Sequence, residues 1–372
     1  MTEKEKIDWI RLLRTEGIGQ ITFHKFISKY QSPSKAIEFL STLPKYKIAD
    51  VSVAEKELDD AQKFGCKVIF SCDENYPFLL SQISDAPAVL YVLGNEKALS
   101  QKTFAMVGSR NASINSKTLT ETLAKELTDY GYTIVSGMAI GIDTHAHIGA
   151  LSSNNCEGVK TVAVLAGGVD NIYPQSNTKL YHRIIEQGAI ISEMPVGTPP
   201  QANFFPKRNR IVSGLSYGTI VMEASLKSGS LITARFALEQ NRDVFAIPNF
   251  PLDPRAGGTN MLIKNGATLV EDISDITSVI DNLSKDSFVK KDLFSGICED
   301  PIPFFSQFDE EFIAKNLQDK ILSLLNATPI GIDALIRELP EFSQSQIMDA
   351  LLNLELDDKI DYSSIGKVVL KL

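Results

Sequence analysis

The sequence predicts an α/β protein built on a parallel sheet, with a helical module before it and a small helix-and-strand module after it. Three observations carry this. From residue 66 onward, short apolar runs alternate with amphipathic stretches of helical length. Several of the apolar runs end in glycines and small hydroxyl residues. On either side of this region the rhythm changes. Apolar strands separated by helices of this length indicate a sheet covered on both faces.

The length of 372 residues suggests two or three domains. We divide the chain into residues 1–62, 63–281, a linker at 282–312, and 313–372. In the first part, Ile7, Ile10 and Leu13, then Ile21, Phe26 and Ile27, give helical apolar spacing around Glu16-Gly17-Ile18-Gly19-Gln20. The two glycines allow a tight hairpin. The turn resembles helix-hairpin-helix (SAM-like) modules, whose turn amides face a DNA phosphate, although a turn that merely packs is the plainer reading.

The second part offers nine strands, at 67–70, 89–93, 104–107, 133–135, 161–165, 190–192, 219–222, 244–246 and 268–270. Helical patterns at 116–129, 142–151, 177–187, 207–214, 231–240 and 256–264 lie between most of them. This alternation is that of a Rossmann-like domain with a parallel sheet covered on both faces. Residues 282–312, with Cys298-Glu299-Asp300-Pro301-Ile302-Pro303, read as a linker. Helices at 317–326, 332–339 and 343–356, with a strand at 365–370, resemble a small winged helix.

Composition narrows the function. No run approaches roughly 18 apolar residues, so a membrane span is not expected. The start, MTEKEKIDWIRLL, lacks the apolar core of a signal peptide. Cys66, Cys72, Cys156 and Cys298 are scattered, without CxxC or His spacing, as in reduced cytoplasmic thiols. The net charge of −9 opposes nucleic acid at first sight. Yet residues 200–245 hold six basic groups against three acidic ones, and local patches decide binding.

Chemistry points to the strand-to-helix turns, where unpaired amides and the helix dipole favour an anion. Such turns are Gly108-Ser109-Arg110, Ser136-Gly137 with Met138 to Asp143, Ala166-Gly167-Gly168, and Ser228-Gly229-Ser230. None fits a dinucleotide or P-loop motif, and no cofactor is expected. The densest signal is Asn203-Phe204-Phe205-Pro206-Lys207-Arg208-Asn209-Arg210. Pro206 suits a first helical turn, and cations near a helix start oppose the dipole unless an anion arrives there. Phe204 or Phe205 offers a stacking surface for bases. His145 and His147, two apart on a helix, do not share a face for metal binding. His145 reads as a packed or capping residue and Asp143 as one that orients the helix start. Glu223, after a buried strand, reads as a ligand for loop amides, with a general base as the alternative.

In this order the motifs GSR at 108–110, SGMAIGIDTHAH at 136–147, AVLAGGVDNIYPQSN at 163–177, SEMPVGTPPQANFFPKRNRIVSGLS at 192–216, SGSLITARFALEQNRDVFAIP at 228–248 and GTNMLIKNGATLV at 258–270 resemble the DprA (Smf) family of DNA-processing proteins. The resemblance implies an extended Rossmann-like fold in a non-catalytic protein that binds and protects single-stranded DNA, homodimerises, and helps load a RecA-type recombinase during natural transformation. It implies phosphate contacts at Arg110, Lys207, Arg208 and Arg210, and a pocket around Gly108, Ser109, Gly137, Gly168, Ser228 and Gly229. The family usually reads SGMARGID, so Ile140 stands where an arginine is usual. Its usual Pro-Gly after the VFAIP strand is replaced by Pro248-Asn249-Phe250-Pro251. The alternative is a phosphoribohydrolase-like enzyme, echoed in Gly218-Thr219 and Glu223 but without Pro-Gly-Gly.

Overall fold

The computed structural model describes residues 1–279, apart from 44, 156 and 157, and part of 317–370. The chain divides into two compact units, Met1–Val289 and Lys290–Leu372. Among the described residues no helix is long and apolar enough to cross a membrane.

The first unit opens with α1 (Glu3–Arg14), α2 (Gln20–Tyr30), α3 (Pro33–Ser41) and α4 (Val51–Lys63). Thr2 starts α1 with a reciprocal cap. Its hydroxyl accepts from the Glu5 N–H, and the Glu5 carboxylate accepts from the Thr2 N–H. These helices are tied to the sheet by specific polar bonds. Trp9 Nε1 donates to the Ala88 carbonyl at 3.0 Å. Arg14 forks onto the buried Glu57 carboxylate at 2.9 and 3.0 Å, and the Tyr91 hydroxyl donates to the same carboxylate.

Nine strands follow: β1 (Lys67–Phe70), β2 (Val89–Gly94), β3 (Thr103–Val107), β4 (Thr133–Ser136), β5 (Thr161–Val164), β6 (Ala189–Ser192), β7 (Gly218–Val221), β8 (Asp243–Ala246) and β9 (Thr268–Leu269). They lie in the order β1-β2-β6-β5-β4-β3-β7-β8-β9. The sheet is parallel from β6 to β9 in this order, but β1 pairs with β2, and β2 with β6, in antiparallel fashion. This departs from a wholly parallel expectation. Only the four-residue α5 (Phe78–Ser81) lies between β1 and β2, so no long helical crossover is present to make that pair parallel.

Burial explains why the strands read as continuous apolar runs. Successive side chains feed two different cores, as a period of two requires. Phe104, Met106, Ile134, Ile220 and Phe245 pack under α6 (Ile114–Asp129) and α7 (Ile142–Leu151), against Leu123, Leu127 and Ala146. Ala105, Val107, Val135, Val221 and Val244 pack on the opposite face, against Ile211, Val212, Ala234 and Ala237. Those four belong to α9 (Phe204–Gly214) and α10 (Ser230–Glu239); α8 (Thr178–Gln187) precedes β6, and α11 (Gly257–Lys264) lies between β8 and β9. The helix expected at 207–214 therefore begins three residues earlier, placing both phenylalanines in its first turn.

The second unit contains a three-stranded antiparallel sheet, β10 (Ile330–Gly331), β12 (Lys367–Leu370) and β11 (Ile360–Tyr362), with a helix at Ile332–Glu338. The sequence reading expected one strand here. Strands of two and three residues are too short to show a period. Leu317, Ile321, Leu335, Leu351 and Val368 share its core. The expected linker at 282–312 lies outside the described residues, as do parts of the helices expected at 317–326 and 343–356.

Candidate functional site

β3 and β7 are neighbours whose chains continue to opposite sides, from β3 through α6 to β4 and from β7 through α10 to β8. Loops that diverge from adjacent strands open a crevice at the carboxyl edge, where open α/β sheets take ligands. Here it is a cleft of about 760 Å³. Val107 to Asn111 form one wall; Ser225, Ser228, Gly229 and Ser230 form another; Phe205, Arg208 and Asn209 of α9 close a third.

Buried hydrogen bonds set the shape of this cleft. The fully buried Glu223 carboxylate accepts from Ser113 N at 3.2 Å, Ser113 Oγ at 2.7 Å and Ser116 Oγ at 2.8 Å. Ser109 N donates to the Glu223 carbonyl at 2.7 Å. Glu223 thus ties the loop after β3 to the end of β7. It does not line the cleft. It does bind a loop amide, as the plainer reading held, but in the loop of the neighbouring strand.

The floor is built on Arg208. Its side chain is 6% exposed, and Nη1 donates to the Gly137 carbonyl at 2.5 Å and to the Val164 carbonyl. A Cβ on Gly137 would lie 2.4 Å from the Arg208 Cζ, so only glycine leaves room for the guanidinium. Gly141, at φ +83°, would put a Cβ 2.3 Å from the Ser109 carbonyl, so α7 begins hard against the same loop. Asp143 accepts from the amides of Gly137 at 3.2 Å and Ala139 at 3.3 Å. Burial raises its pKa while the Arg208 charge opposes the rise. Burial likewise lowers that of Arg208, with Asp143 opposing. Asp143 therefore orients the helix start.

At the mouth, the exposed Arg110 guanidinium sits 5.6 Å from the centre of the Phe205 ring, within cation–π range. Tyr173, 48% exposed, meets the same ring edge-on at 5.5 Å. α10 begins at Gly229 without a side-chain cap on the N-cap residue, and its first-turn amides are taken locally: Ser230 N donates to Ser228 Oγ, Leu231 N to the Ser228 carbonyl and Ile232 N to the Gly229 carbonyl.

Of the residues singled out from sequence, Gly108, Ser109, Arg110, Gly137, Phe205, Arg208, Asn209, Ser228, Gly229 and Ser230 meet in this cleft. Phe204, Lys207 and Arg210 instead line a second cleft of about 490 Å³, with Arg208 shared between the two. Arg210 is buried and paired with Glu193 at 2.6 Å and Asp85 at 3.2 Å, so it is not a solvent-facing phosphate ligand. Ser136 is fully buried and donates to the Met106 carbonyl at 2.6 Å. Gly167 and Gly168 pack against the 195–200 loop and line neither cleft, so these three support the edge rather than face a ligand. Ile140 is exposed beside Ala139.

The sequence reading missed Tyr173, whose available signal was an aromatic before a proline in a loop after β5. His145 Nδ1 lies 2.6 Å from Glu121, which ties α7 to α6. His147 is fully buried, its Nδ1 2.7 Å from Thr161 Oγ1.

A cleft at the switch point of a Rossmann-like sheet, with an arginine over an aromatic ring at its mouth, lies where open α/β proteins take their ligands. Residues 67–281 match the family model of DNA recombination-mediator protein A. The chain belongs to that family. Residues 3–60 match the DprA-like N-terminal HHH domain, and residues 311–362 the DprA winged helix domain. The chain is 42% identical over 213 residues to DNA processing protein DprA of Bacillus subtilis, covering 57% of this chain and 70% of that one. It is 42% identical over 296 residues to protein Smf of Synechocystis, covering 73% and 71%. Among solved structures, DprA of Streptococcus pneumoniae aligns with TM-score 0.63 at 33% identity, over 75% of this chain and 98% of that one. DNA processing protein A of Helicobacter pylori, described for its single-stranded DNA binding mode, aligns with TM-score 0.52 at 34% identity, over 59% and 96%.

Proposed function

We propose that this protein binds single-stranded DNA in the cleft between the β3 and β7 loops, protects incoming strands, and helps load a RecA-type recombinase in natural transformation. The observation that carries the reading is the Arg110 guanidinium over the Phe205 ring, in the cleft that Ser228, Gly229 and Ser230 also line. A cation, an aromatic face and the hydroxyls of Ser228 and Ser230 together suit a nucleotide unit, the base on Phe205 and Tyr173 and the phosphate at Arg110 and residues 228–230. The H. pylori relative, which binds single-stranded DNA, supports it.

In the same reading the protein works as a cytoplasmic homodimer by positioning DNA, without cofactor or catalysis. The exposed side chains of Leu226, Leu238, Phe250 and Leu252 offer a second copy apolar surface to cover. In this reading the chain is divided into a helical module at 1–62, the DNA-binding domain at 63–281, a linker at 282–312 and a winged-helix-like domain at 313–372. The test is Arg110→Ala with oligo-dT. Affinity falls, and the slope of log affinity against log salt shrinks by about 0.7 for each phosphate no longer neutralised. Unchanged affinity and slope would remove Arg110 from the site.

A further inference from the structure

The turn between β4 and α7 supplies part of the first cleft, and its backbone is not one that its residues favour. Gly137 and Ala139 line the cleft, while Met138 between them is fully buried with φ +60°. That is the left-handed region, which a residue with a Cβ occupies at a cost and only where its surroundings hold it there.

Side chains hold the turn on every side. Asp143 accepts from the amides of Gly137 and Ala139, and Arg208 donates to the Gly137 carbonyl. The Ala139 carbonyl accepts from the Thr144 hydroxyl at 2.7 Å and the Thr144 amide at 3.1 Å. The carbonyl of Met138 itself accepts from Asn177 Nδ2 at 2.9 Å. The same Nδ2 lies 2.9 Å from Thr144 Oγ1, whose proton goes to Ala139, so Asn177 donates there too. Both hydrogens of one side-chain amide are thus committed to the turn.

Asn177 comes from a distant part of the chain, 39 positions from Met138, as the last residue before α8. It is 7% exposed and stands behind the cleft rather than in its lining. Its own N–H donates to the Pro174 carbonyl at 3.0 Å, closing the segment that carries Tyr173. Tyr173 is the aromatic that meets Phe205 at the mouth. One buried amide therefore fastens the segment bearing the mouth aromatic to the turn beneath it.

We infer that Asn177 is a positioning residue for single-strand binding: it holds the left-handed Met138 turn and sets the Tyr173 wall against it before the strand arrives. The inference rests on the single-strand reading of this cleft and adds the group that presets it. Walls fixed in advance leave less ordering to be done on binding.

Asn177→Ala is measured with oligo-dT well below its melting temperature, so that only folded protein is read. Affinity falls roughly three- to tenfold, the scale of one lost hydrogen bond. The slope of log affinity against log salt stays as in the wild type, because no phosphate contact is removed. In a Tyr173→Ala background the loss shrinks, because the wall that Asn177 sets no longer carries its ring. Thr144→Val keeps the side-chain shape, removes one acceptor of the same amide, and gives a smaller loss in the same direction. Should Asn177→Ala not fold, that second variant decides, and an unchanged affinity there overturns the inference. A lower melting temperature with unchanged affinity in Asn177→Ala likewise refutes it, since Asn177 would then serve stability alone. Equal losses with and without Tyr173 refute the link between the two walls and the inference with it. If the wild type does not bind oligo-dT, the single-strand reading fails first and takes this inference down.

Discussion

At the residue scale, three cations that look alike in the string Lys207-Arg208-Asn209-Arg210 perform three tasks. Lys207 is exposed, Arg208 is folded under the Gly137 carbonyl, and Arg210 is consumed by two carboxylates. Removing Arg208 therefore tests stability before it tests binding. Arg208→Ala leaves the Asp143 carboxylate buried without its countercharge and strips two carbonyls of a donor. A loss of about 3 kcal/mol or more is expected, seen as a lower urea midpoint at unchanged slope. A midpoint within error of the wild type would show that the cleft floor does not depend on this arginine. Arg110 is exposed, so its removal is the cleaner probe of ligand contact. His147 makes a second residue-level prediction. Thr161 Oγ1 donates to the Ile134 carbonyl at 2.7 Å, so it accepts from His147, which fixes the imidazole proton on Nδ1. Burial, then the nearby Arg208 charge, depresses the pKa of His147 to about 3. The unfolded chain, with a histidine pKa of about 6.5, binds more protons between these values, so this residue's stabilisation is lost as pH falls below about 6.5. Between pH 7 and pH 5 the loss is about 2 kcal/mol. Comparing that acid-induced loss in the wild type and in His147→Asn isolates it; equal losses in both would rule out this linkage.

At the scale of elements, the cleft depends on one carboxylate that joins two loops. Glu223 leaves β7 and receives the Ser113 and Ser116 donors that start α6, so the wall after β3 is held by a bond across strands. Glu223→Gln turns part of that acceptor into a donor facing other donors. A charge-assisted bond of about 1.5–3 kcal/mol is removed. Amide hydrogen exchange at Asn111 to Ser113 should rise and oligo-dT affinity should fall together. Faster exchange without weaker binding would separate the loop from the ligand. This partnership was invisible in the sequence because Glu223 and Ser113 are 110 positions apart. What was legible was local. The nine strands were readable from apolar runs, and the glycine turns marked the carboxyl edge. Gly137 was readable as a position needing glycine, but not that Arg208 fills the vacated space. The start of α9 was misplaced because Pro206 was read as the helix start, whereas Phe204 and Phe205 precede it within the first turn. The antiparallel edge went unread because direction depends on the connection, not on the strand's own pattern.

For the whole molecule, net charge and local charge part company. Residues 1–280 carry 28 basic and 29 acidic side chains, whereas residues 281–372 carry nine and seventeen. Both clefts lie in the nearly neutral first unit, and the acid excess lies beyond it. A polyanion approaching the full chain meets a repulsion that the first unit alone does not exert. That repulsion is long-range and therefore screened, with a decay length of about 30 Å at 0.01 M salt and about 8 Å at 0.15 M. A chain ending at Val289, where the first compact unit ends, should fold on its own. It should associate with oligo-dT faster than the full chain at low salt, by stopped-flow fluorescence. At physiological salt the two association rates should converge, and dissociation should match throughout, because every proposed contact is retained. A difference that persists at 0.15 M would mean that residues 290–372 act on the bound strand by contact rather than by screened repulsion.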